Sequence, residues 1–153
     1  MKKIIINGAN GFVASNFIAE LLQLNYSVTA LVRGDNFFHA KERMLDALQT
    51  LSSNDFKNSG NLDVYSYLLL QDDFSLPPRL LKKVFNEDVD YFHFAASLKF
   101  SKKTKEEIFE TNINGLENSV RLFLKYANSG SRFFFISTAY SCGKMKETFE
   151  EIF

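Results

Sequence analysis

Residues 3–14 read Lys3-Ile4-Ile5-Ile6-Asn7-Gly8-Ala9-Asn10-Gly11-Phe12-Val13-Ala14, and this stretch decides the fold class. Three consecutive isoleucines are too apolar for a strand with one wet face, so they read as a strand buried on both sides. Gly8 suits a tight turn, Gly11 a close backbone approach, and Ala14 a helix packed closely on its strand. From Phe12 to Leu24 the apolar residues Val13, Phe17, Leu21 and Leu24 recur at helical spacing. A helix that starts there points its N–H groups and positive dipole end back at the turn, as a pyrophosphate site requires. The alternative is an ordinary strand-to-helix turn; a strand before and an amphipathic helix after favour the phosphate-cradling one. Asn10, Phe12 and Val13 complete the cofactor-facing segment with Gly8 and Gly11.

Outward from this turn, short apolar runs alternate with amphipathic ones. Strands are expected at 26–32, 62–70, 89–95 and 132–137, with helices at 40–51, from Pro77-Pro78 to Phe85, and from Thr104 to about Asn128. Thr104 and Glu107 form a capping-box pattern, and Ile113, Leu116, Val120 and Phe123 are the expected buried stripe of the last helix. The polar stretch 52–60 reads as a loop. The fold class is α/β, a Rossmann-type doubly wound parallel sheet of about five strands in the order 3-2-1-4-5. The second strand ends in Val32-Arg33, where an NAD site would carry a carboxylate for the ribose hydroxyls. Arg33, with Arg43 ten residues on, is placed to pair with a 2′-phosphate, favouring NADP(H); the alternative is two solvated arginines.

The whole chain has 153 residues, with 18 Lys+Arg against 18 Asp+Glu, enough length for one domain and no net field for nucleic acid or anionic membrane. One cysteine and two histidines exclude a disulfide framework and a cysteine- or histidine-built metal centre. No stretch approaches the roughly 18 uninterrupted apolar residues of a membrane span, and the short run after Lys2-Lys3 is no secretory signal, so a cytoplasmic location is expected. There are 17 Phe and no Trp, an excess without a functional reading.

Taken together, NGANGFVA, LVR with KERML ten residues on, Asp73-Phe74, VDYFHFAAS, TNINGLENSV and FFFISTAYSCG resemble the extended short-chain dehydrogenase/reductases. More narrowly they are similar to the thioester reductase and fatty acyl-CoA reductase branch, also called the male-sterility-type NAD-binding family. The likeness runs from residue 3 to about 143. It implies that Asp73 accepts from the adenine amino group with Phe74 against the ring, and that Ala95, Ala96 and Ser97 line the nicotinamide ribose. It also implies that Thr138 bonds the substrate carbonyl as the catalytic hydroxyl, with Ser137 the adjacent alternative. His93, inside an apolar strand, reads as a satisfied core residue. Asn112 is expected to tie its helix to the neighbouring strand by hydrogen bonds.

Members of this superfamily use a Tyr as proton donor with a Lys four residues later. Tyr140 and Lys144 have that spacing, but they follow Thr138 too closely and Gly143 interrupts the helix they would need. The chain is therefore expected to be the front part of a longer protein, with the Tyr–Lys pair and the substrate region supplied by residues after Phe153. The implied activity is hydride reduction of acyl thioesters bound to CoA or a carrier protein. A nucleotide-sugar epimerase or dehydratase and a non-catalytic dinucleotide-binding module are the alternatives. The apolar fifth strand would form an unpaired edge, open to self-association. Lys99, Lys102, Lys103 and Lys105 crowd the last helix's start, suiting an acidic partner or simply a solvated turn.

Overall fold

Successive isoleucines of the first strand, β1 (Lys3–Asn7), are buried on opposite faces of one sheet. Ile4 and Ile6 pack with Ala14, Ile18, Met44 and Leu48, whereas Ile5 packs with Leu81, Tyr91 and Leu122. The period-two geometry of a strand thus divides the core into two layers, the doubly wound arrangement that an unbroken apolar strand requires. The computed structural model describes residues 3–34, 36–50, 60–97, 99 and 104–137. β1 is followed by α1 (Phe12–Gln23), β2 (Val28–Arg33), α2 (Phe37–Gln49), β3 (Leu62–Tyr67), α3 (Pro78–Val84), β4 (Val89–His93), α4 (Lys105–Phe109), α5 (Gly115–Tyr126) and β5 (Arg132–Phe135). The five strands are parallel, in the expected order 3-2-1-4-5. No helix among the described residues is long and apolar enough to cross a membrane.

Helix faces depart from the simple periodic reading in two places. In α1 the buried residues are Ala14, Ser15, Ile18, Ala19, Leu21 and Leu22, while Val13 and Leu24 are exposed. The small residues Ala14, Ser15 and Ala19 let the helix axis lie close to the strands, and Ile18, Leu21 and Leu22 fill the core beside them. The expected long fourth helix is divided by a π-helical turn at Glu110–Asn114. That wider turn rotates the following residues about the axis. The buried face of α5 becomes Gly115, Asn118, Ser119 and Leu122, and Ile113 is exposed. The Thr104 side chain does not cap α4, and Glu107 instead accepts from Lys99 at 2.6 Å.

The phenylalanine excess has a packing explanation. In the β4–β5 register Tyr91 faces Phe133 and Phe92 faces Phe134. Their rings stack with centroids 5.2 and 4.5 Å apart and nearly parallel planes. Phe17 meets Phe92 edge-on, and Phe123 does the same to Phe133. Cross-strand aromatic pairs of this kind add to the stabilisation from burial itself.

Candidate dinucleotide-binding site

The carboxyl end of the sheet is organised by Asn7, the last residue of β1 and fully buried. Its Oδ1 accepts from the backbone N–H groups of Phe94 and Ala95 at 3.0 and 3.2 Å. This orientation turns Nδ2 toward His93 Nδ1 at 2.9 Å and Ser119 Oγ at 3.1 Å. Because the amide donates there, Nδ1 is the lone-pair nitrogen and the neutral ring carries its proton on Nε2. Ser119 donates in turn to the Gly115 carbonyl at 2.8 Å. Burial pushes the His93 imidazole down to about 4, so it is an uncharged structural residue at neutral pH. The Tyr91 hydroxyl lies fully buried beside this network, with no geometrically satisfactory hydrogen-bond partner among the described residues, and burial pushes its pKa up.

Directly above, Gly8 adopts φ +63°, the left-handed conformation that glycine reaches without strain. A Cβ there would lie 2.8 Å from the Ala95 nitrogen, so the first turn and the end of β4 are in close contact. Gly8 N–H donates to the Tyr67 hydroxyl at 3.2 Å, and Gly11 N–H donates to Gly8 O at 2.9 Å. Burial pushes the Tyr67 phenol up to about 12, which keeps it protonated. Gly11 is the N-cap of α1 and no side chain caps that helix. Its first-turn N–H groups therefore remain available to an anion, beside exposed Phe12 and Val13.

Arg33 and Arg43 are neighbours: Arg43 Nη1 donates to the Arg33 backbone carbonyl at 2.6 Å. Both line a pocket of about 320 Å³ with Asn36, His39, Glu42 and Asp46. Asn36 caps α2, its Oδ1 accepting from the N–H groups of Phe38 and His39. The helix therefore starts at Phe37, three residues before Ala40.

The segment after β3 carries Asp73 and Phe74, the two residues expected beside the adenine. Phe74 is fully buried, edge-on to Tyr67 with centroids 5.0 Å apart, so its ring has no free face for an adenine. The Asp73 carboxylate accepts from Lys125 at 2.7 Å and from the Tyr126 hydroxyl at 2.7 Å. Lys125, then Tyr126, hold its pKa below the ordinary value. The physical reason is local: Asp73, Phe74 and Ser75 all have positive φ, which turns Phe74 into the core and Asp73 onto the end of α5. Such a run of L-residues costs on the order of 1–2 kcal/mol each. It is held by Leu68 N–H on Phe74 O and by the burial of the Phe74 ring.

Of the ribose-lining group, Ala95 N–H is engaged by Asn7 and Ser97 N–H by Asn112 Oδ1 at 2.7 Å, leaving Ala96 exposed between them. Asn112 also donates to Ser97 O at 3.2 Å, so it ties its helical segment to the end of β4 as expected. Thr138, with Tyr140 and Lys144, lies outside the described residues. Sequence reasoning passed over Asn7, Tyr67, Ser119 and His39. A polar residue closing an apolar strand was the available signal for Asn7; the others carried none.

A glycine turn on an uncapped helix, at the carboxyl end of a parallel sheet, matches a known family over nearly the whole chain. The sequence profile of the male sterility protein family, a group of NAD-binding domains, matches residues 6–153. The chain belongs to this family. A candidate fatty acyl-CoA reductase of Drosophila melanogaster, CG8303, is 26% identical over 144 residues, covering 91% of this chain and 26% of that protein. The chain thus spans about a quarter of that relative's length. Among solved structures, the terminal R domain of the myxalamid PKS-NRPS pathway superposes with a TM-score of 0.76 at 18% identity, over 91% of this chain and 35% of that one. Gre2 of Candida albicans, solved in complex with NADPH, gives 0.66 at 21% identity over 88% of this chain and 36% of its own. These likenesses at low identity bear on the fold.

Proposed function

We propose that this chain is the NADP(H)-binding part of a reductase acting on acyl thioesters, bound to CoA or to a carrier protein. The observation that carries the cofactor choice is the pocket at the end of β2, where Arg33 ends the strand and Arg43 lies beside it. Gly8, Asn10, Gly11, Phe12 and Val13 hold the pyrophosphate against the uncapped start of α1, and Ala95, Ala96 and Ser97 border the nicotinamide ribose. When bound, the nicotinamide supplies a hydride. Thr138 donates a hydrogen bond to the thioester carbonyl, stabilising the charge that builds on its oxygen. The Tyr–Lys proton donor is assigned to residues other than Tyr140 and Lys144.

The acyl thioester part of this reading is supported by family membership and by the names of the relatives. A nucleotide-sugar epimerase or dehydratase would more often carry an acidic residue where Arg33 stands. Titration with NADPH and NADH tests the cofactor claim: NADPH binds more tightly, and Arg33→Asp reverses the preference, by roughly tenfold or more in the affinity ratio. Equal affinities of the wild-type protein overturn it. Thioester-dependent NADPH oxidation by the full protein separates the reductase from a non-catalytic module. Among the described residues β5 is an edge of the sheet, and the exposed Phe135 and Ile136 at its end suit a further strand, from the same polypeptide or from a second copy. Light scattering of the isolated chain distinguishes these.

A further inference from the structure

The glycine turn after β1 and residues 94–97 after β4 are the two parts of the proposed site that a dinucleotide bridges. The parallel register of these strands ends at Asn7 opposite His93, so the ladder itself stops short of both parts. The Asn7 side chain continues it. Its one oxygen, Oδ1, accepts from Phe94 N–H at 3.0 Å and from Ala95 N–H at 3.2 Å, as a further backbone carbonyl would. The other end of the amide keeps it in this orientation, because Nδ2 donates to His93 Nδ1 at 2.9 Å and to Ser119 Oγ at 3.1 Å. A reversed amide would set its NH2 group against two further donors. Asn7 is fully buried, so water does not take over the two N–H groups. Each flank is tied separately: Ala9 N–H donates to Leu31 O at 3.2 Å, and Ser97 N–H to Asn112 Oδ1 at 2.7 Å. The exposed Ala96 lies between the two asparagine contacts.

We infer that Asn7 is a positioning residue for the cofactor, setting the span between the pyrophosphate turn and the nicotinamide-ribose segment. Buried beneath the site, it acts through Phe94 and Ala95. This rests on the dinucleotide-binding reading above, though not on the choice between NADP(H) and NAD(H). A ligand that reaches only one of the two parts does not sense their separation, whereas one that spans both does. Loss of the Oδ1 acceptor leaves two backbone N–H groups unpaired, and the end of β4 relaxes away from its place to find partners. Affinity for the whole cofactor then falls more than affinity for its adenosine half.

The test compares NADPH with adenosine 2′,5′-bisphosphate, which lacks the nicotinamide ribose, by calorimetry on the full protein. The wild type binds NADPH more tightly, and Asn7→Ala cuts that affinity ratio by roughly tenfold. Asn7→Thr returns a hydroxyl acceptor to the strand end and recovers part of the ratio. Amide hydrogen exchange of the wild type reads the same contact without a substitution: Phe94 and Ala95 exchange far more slowly than Ala96. An unchanged ratio in Asn7→Ala, or Ala95 exchanging as fast as Ala96, overturns the inference. A parallel loss for both ligands marks a merely structural role and overturns it as well. If wild-type NADPH binds no more tightly than the bisphosphate, the ribose role of Ala95, Ala96 and Ser97 fails, and the positioning role with it. NADH and 5′-AMP, measured alongside, carry the same expectation where Arg33 does not select NADP(H), which separates a failure of the cofactor choice from a failure of Asn7.

Discussion

The hydroxyl of Tyr67, at the end of β3, accepts the backbone N–H of Gly8 in the turn after β1 at 3.2 Å. The two residues are 59 positions apart in the chain. Tyr67 is almost fully buried and Gly8 is held against Ala95, so the phenol fixes the turn from beneath while the backbone of β4 fixes it from the side. A phosphate-cradling turn works through backbone N–H geometry, and here that geometry is set by a side chain two strands away.

Tyr67→Phe keeps the ring and removes the acceptor. Leaving a part-buried N–H without its partner is expected to cost about 1–2 kcal/mol, read as a lower urea midpoint. NADPH affinity should fall in parallel, since the turn loses its lower anchor. An unchanged affinity at reduced stability would show that Ala95 alone positions Gly8.

Gly8→Ala places a methyl group 2.8 Å from a backbone nitrogen at a φ of +63°. Neither the strand end nor the turn has a flexible side chain that yields there. Destabilisation of more than about 2 kcal/mol is expected, from positive-φ strain and overpacking together. Thermal unfolding with and without NADPH reads it, and the variant should show little stabilisation by the cofactor.

Acid sensitivity is expected from His93. Burial depresses its folded pKa from 6.5 to about 4, so between those values the unfolded chain binds a proton that the folded chain refuses. Its contribution is intact above the upper value and is lost as pH falls toward the lower one, by up to about 3 kcal/mol. Replacing it by Gln, whose carbonyl can accept from Asn7, should flatten this part of the pH dependence in urea titrations. A wild-type midpoint that does not move across the window would contradict the buried neutral imidazole.

Asp73 gives a separate acid transition. Its carboxylate is stabilised in the folded state by Lys125 and Tyr126, so its folded pKa lies below the unfolded value of 3.8. The stability it contributes is present above that unfolded value and disappears as pH falls through the lowered one. Asp73→Asn should therefore be less stable than the wild type near neutrality and converge with it in acid. NADPH affinity of this variant reports whether the carboxylate also matters to the adenine.

Much of the architecture was legible because it follows from local chemistry. Three isoleucines in a row need cover on both faces, and the Gly8-to-Ala14 spacing needs a turn between strand and helix. Arg33 was legible for the same reason, as a strand-end residue next to a recognisable turn. The contacts of Asp73 and Phe74 within the fold were not legible, because three positive-φ residues redirect their side chains and nothing in Asp-Asp-Phe-Ser requires that conformation. The buried face of α5 was displaced because the π-helical turn at Glu110–Asn114 shifts the helical phase.

What the sequence determined by itself was therefore the succession of strands and helices, the glycine turn and the arginine that ends β2. Only the tertiary structure decided which side chains meet beneath that turn. Asn7 bonds His93 and Ser119 across separations of 86 and 112 residues, and Tyr67 reaches Gly8 only because β2 lies between their strands. Hydrophobic periodicity records which face of an element is buried; it does not record the partner across the sheet, which depends on strand order, register and helix phase.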